Sequence, residues 1–69
     1  MTRFELEVKE SVDKAIEDLP NLDSDTRRAK AITKLVRMLW YMVEFKMISK
    51  EMYYYYKDKL TKIRNKLFS

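Results

Sequence analysis

Leu19-Pro20-Asn21-Leu22-Asp23-Ser24 contains the only proline of the chain, and its reading decides how the sequence divides into helices. Proline has no amide hydrogen to donate and pushes the residue before it out of the helical region. Asn, Asp and Ser side chains bond back to nearby amides and favour turns and caps. One helix therefore ends before Pro20. Asp23 or Ser24 caps the next, with Asp25 well placed at its positive end.

On the N-terminal side, Thr2 and Glu5 have capping-box spacing and start a helix. Phe4, Val8, Val12, Ala15, Ile16 and Leu19 then form one apolar stripe, and Glu5 to Lys9 and Glu10 to Lys14 are oppositely charged pairs four apart. On the C-terminal side, Ile32, Leu35, Val36, Leu39 and Val43 are the core face of a second helix expected to run to about Met47. At Met47-Ile48-Ser49-Lys50-Glu51 the pattern breaks again: Ser49 caps, Glu51 suits a first turn, and Ile48 is placed as a hydrophobic staple. The chain has no glycine, so any left-handed closure of the second helix falls on Lys46 or Met47, at some strain. Met52, Tyr56, Leu60, Ile63 and Leu67 give a third helix its core stripe. The expected fold is all-α: a single domain over residues 1–69, with a short acidic first helix and a long helical hairpin in a three-helix bundle.

A chain of 69 residues buries a small core, and stability at this size usually needs a supplement. Disulfides and zinc sites are excluded by the absence of Cys and His, which leaves packing and a partner, so completion by dimerisation or docking is expected. With 46% hydrophobic residues beside 38% charged ones, the chain has enough apolar surface to fold. The absence of Cys and a charged N-terminus without an apolar leader make the cytoplasm the expected location. The most apolar stretch, Leu35 to Ile48, is short for a membrane span and carries Arg37, Glu44 and Lys46.

Charge is divided along the chain. Residues 1–25 hold eight acidic and three basic side chains, net −5, and residues 26–69 hold three acidic and twelve basic ones, net +9. An asymmetry of this size either selects a partner electrostatically or cancels where the first helix packs beside the hairpin. Tyr55, Lys59, Lys62 and Lys66 lie on one line of the third helix, with Lys57 and Arg64 on the other flank and Tyr53 above them. Lysines interleaved with aromatics can grip a nucleic-acid backbone, and lysines toward a helix C-terminus also complement its dipole. A base-reading helix-turn-helix is disfavoured, because both hairpin helices are long and their facing stripes are apolar.

From Met38 to Phe45 apolar side chains leave the core stripe and wrap most of the second helix. Met42, Met52 and Tyr56 fit a core. Met38, Tyr41 and Phe45 lie on the far side of the helix, and with Tyr54 and Tyr55 they make a candidate protein interface. Without His, Cys or Gly, the commonest bases, thiolates, zinc ligands and phosphate loops are missing, and no catalytic site or cofactor is expected. Glu10, Asp13 and Glu17 could meet a hard cation, but their spacing equally fits a solvated acidic face, and no metal site is assigned. The leading expectation is a non-catalytic interaction module, either a homodimer or an accessory subunit docking on a larger protein. No membrane partner or small-molecule substrate is expected. The alternative is a basic nucleic-acid-binding protein acting through Tyr55, Lys59, Lys62 and Lys66.

Overall fold

Thr2 opens the first helix with the capping box its spacing predicts. The Glu5 amide donates to Thr2 Oγ1 at 3.1 Å, and the Thr2 amide donates to Glu5 Oε1 at 3.0 Å. In the computed structural model, which describes residues 1–69, α1 spans Arg3–Asp18, α2 Asp25–Glu44 and α3 Lys50–Leu67. The proline stretch forms a 3-10 turn, Leu19–Asn21, and Ser24 caps α2 through the Arg27 amide. Arg28 holds this connection closed. Its guanidinium donates to the carbonyls of Leu19, Pro20 and Leu22 and to Asp25, tying the turn to the start of α2.

The second helix ends at Glu44, short of the expected Met47, and the reason is its closure. Lys46 takes φ 59°, the Met47 amide donates to the Met42 carbonyl at 2.8 Å, and the Lys46 amide donates to that of Val43 at 3.1 Å. These two bonds form a Schellman cap built on lysine where glycine is usual. Ser49 then caps α3 through the Met52 amide, and Ile48 and Tyr53, the staple positions around that cap, are both buried.

The core is one cluster. Val8, Val12 and Leu19 meet Ile32 and Leu39 of α2 and Ile48, Met52, Tyr53, Tyr56 and Leu60 from the hairpin's other arm. α2 and α3 pack most closely, antiparallel across the short joint. Bonds from Glu5 to Ser49 and from Asp13 to Tyr56 set α1 beside α3 in the same direction. Phe4 departs from the expected stripe and stays exposed, because the inward position of the first turn is taken by Glu5, which is 9% exposed. No helix is long and apolar enough to cross a membrane.

Candidate binding surfaces

Two polar bonds set which flank of the hairpin α1 covers. Glu5 Oε2 accepts from the Ser49 amide at 2.9 Å, so one carboxylate serves the starts of both α1 and α3. Bonds from the backbone amides of Thr2 and Ser49 hold the Glu5 carboxyl below its ordinary range. Eight residues along α1, Asp13 accepts from the Tyr56 hydroxyl and from Lys9 Nζ, each at 2.8 Å. The Lys9 bond is the main cause that keeps the Asp13 carboxyl low, while burial and then the Asp13 bond push the Tyr56 phenol up. No buried side-chain nitrogen or oxygen lacks a partner. Of the acidic trio on α1, Asp13 is thus occupied by Lys9 and Tyr56, and no group of three or more acidic, His or Cys side chains converges to hold a metal.

The candidate interface residues separate into different places. Met38, Tyr41 and Phe45 line one largely apolar depression of about 400 Å³ on the outer face of α2, together with Met42, Met47, Lys34 and Arg37. Phe45 is 75% exposed and Tyr41 51%. A second hollow of about 520 Å³ lies between α1 and α2, lined by Ala15, Leu19, Leu22, Ala31 and Leu35, and shares Met38 and Lys34 with the first. Together they form one apolar band. Tyr54 and Tyr55 stand apart from it: Tyr55 lies on the α1 side of α3 near Lys9 and Met52, and Tyr54 is exposed with its ring edge-on to Tyr53. Spacing along the chain indicated which residues leave the core stripe, but not which of them meet across helices.

The basic residues separate in the same way. Lys59, from the stripe with Lys62 and Lys66, sits with Nζ 5.8 Å from the Tyr55 ring centroid and acts on Asp13 of α1. Lys57 and Arg64 lie on the flank that α1 leaves open. There they join Arg37, Thr33, Thr61 and Trp40 around a trough of about 360 Å³ between α2 and α3. The trough continues into a depression of about 480 Å³ lined by Lys30, Lys34, Arg37, Arg64 and Phe68. No carboxylate lines either part. The α2 half of this cluster went unremarked in the sequence, although Lys30, Lys34 and Arg37 are spaced four and three apart on one helix face.

Comparison with protein-family models, curated proteins and solved structures finds no match for the chain.

Proposed function

We propose that this chain is a non-catalytic interaction module that self-associates through the apolar band on α2. One observation supports the reading: exposed Phe45 and Tyr41 continue through Met38 into the hollow lined by Ala31 and Leu35. Phe45 and Ala31 each lie seven residues from Met38, and Tyr41 and Leu35 each lie three. An antiparallel two-fold pairing of α2 with α2 therefore sets the projecting Phe45 of one copy over the small Ala31 of the other, and Tyr41 over Leu35. A two-fold interface requires this of a surface, that its projections match its own hollows. Exposed Phe45 and Tyr41 beside half-buried Met38 are also the kinds of side chain that interface cores favour, and a chain this short gains stability by burying them. The absence of cysteine suits a reducing compartment such as the cytoplasm.

Light scattering coupled to size exclusion, at low and high salt, tests the reading. A dimer whose mass is insensitive to salt is expected. Phe45→Glu, which places a charge over Ala31 of the other copy, should weaken it by about 2 kcal/mol or more, roughly thirtyfold, with helicity unchanged. A wild-type monomer at all concentrations overturns self-association and points to a different protein as the occupant of the band.

A further inference from the structure

The trough between α2 and α3 differs from that band in chemistry, although the two adjoin on α2, where Lys34 and Arg37 line both. Lys30, Lys34 and Arg37 approach it from one helix and Lys57 and Arg64 from the other, with no carboxylate among the lining residues. None of these five forms an ion pair, whereas Arg3, Lys9, Arg27 and Arg28 are each paired with an acid four or three residues away. Uncompensated like charges gathered in one place weaken the folded chain and attract an anion that spans them. From Lys30 to Trp40 the trough follows ten residues of α2, so the anion that fits is extended, about 15 Å long at 1.5 Å per residue. Its two ends carry exposed aromatics, Trp40 at 45% and Phe68 at 65%.

We infer that this trough binds single-stranded nucleic acid, with the cations on the phosphates and Trp40 and Phe68 as stacking platforms for bases. A groove that combines a track of positive charge with aromatic faces is the usual device for holding a single strand without reading its sequence. A duplex fits poorly. The cations line a hollow between helix axes packed about 8–10 Å apart, and no element projects to enter a DNA groove. An acidic peptide would use the cations and leave the two aromatics idle. The span accommodates about four nucleotides, at the short end of single-strand sites. The cations used here are different from the stripe of Lys59, Lys62 and Lys66, of which Lys59 acts on Asp13 of α1.

Trp40 is the only tryptophan, so its fluorescence reports the trough directly. Titration of the full chain with a short oligothymidylate should quench it, and log K should fall with log salt at a slope near −0.7 per phosphate neutralised, about −3 for four to five contacts. Arg37→Glu with Arg64→Glu should weaken binding about tenfold or more and flatten the slope by about 1 to 2, while Lys59→Glu with Lys62→Glu should retain the quench. If the double reversal loses helicity, the single Lys57→Gln variant carries the same test through its smaller slope. Three results overturn the inference: no quenching by oligothymidylate, equal quenching by polyglutamate, or loss of binding in the Lys59/Lys62 variant with retention in the Arg37/Arg64 variant.

Discussion

The two flanks of the hairpin both carry basic and aromatic residues and use them differently. On the flank covered by α1, Lys9, Asp13, Tyr56 and Glu5 are tied to one another or to backbone amides. On the open flank Arg37, Lys57 and Arg64 converge without an acid. Charge on the first flank is part of what sets α1 in place. On the second it meets no acid, Lys57 lying only over the Tyr53 ring at 5.8 Å, and remains available to a ligand. The formal net charge of +4 conceals both facts, since the acidic excess of α1 is consumed on one side only.

Substitutions on the two flanks should therefore separate cleanly in equilibrium denaturation. The largest effect is expected from Tyr56→Ala, which empties a site only 2% exposed and should cost about 3–5 kcal/mol, enough to unfold much of so small a chain. Tyr56→Phe isolates the hydroxyl and should cost about 1 kcal/mol, because Asp13 keeps its bond to Lys9. At the hairpin joint, Lys46→Gly removes a left-handed lysine and should raise stability by about 1 kcal/mol. The smallest effect belongs to the open flank: Arg64→Gln should stay within about 0.5 kcal/mol of the parent. A loss there comparable to that of Tyr56→Phe would erase the distinction.

Acid should discriminate between the flanks in the same sense. Glu5 and Asp13 have folded-state pKa values below their ordinary 4.5 and 3.8, so the stability they contribute is fully present above about pH 4.5 and is lost as pH falls through the folded values. The melting temperature should drop on acidification below that point, and the Asp13→Asn variant should show a shallower drop. The trough has no carboxylate to lose.

What the sequence made legible was local. Thr2, Ser24 and Ser49 cap as their spacing indicates, because a cap bonds to amides two or three residues away and needs no tertiary information. The core stripes of α2 and α3 were readable for the same reason: helical periodicity places them before any partner is known. The bond from Glu5 to Ser49 and the trough shared by Arg37 and Arg64 depend on the register between helices, which spacing within one helix does not contain. Glu5 could be read as a capping residue, and it is one. That its second oxygen would reach an amide 44 positions away in the chain could not be read.

That second bond also bears on how the molecule should come apart. α2 and α3 meet through a short joint and form a unit of local contacts, whereas α1 is locked at its far end to a residue distant in sequence. Partial opening that releases α1 while the hairpin stays closed breaks the Glu5 and Asp13 bonds and uncovers the core where Val8 and Val12 pack, but leaves the contacts between α2 and α3 intact. Amide protons of α1 should therefore exchange with solvent through a lower-energy excursion than those of α2 and α3, and the acidic helix is the last piece to be fastened during folding.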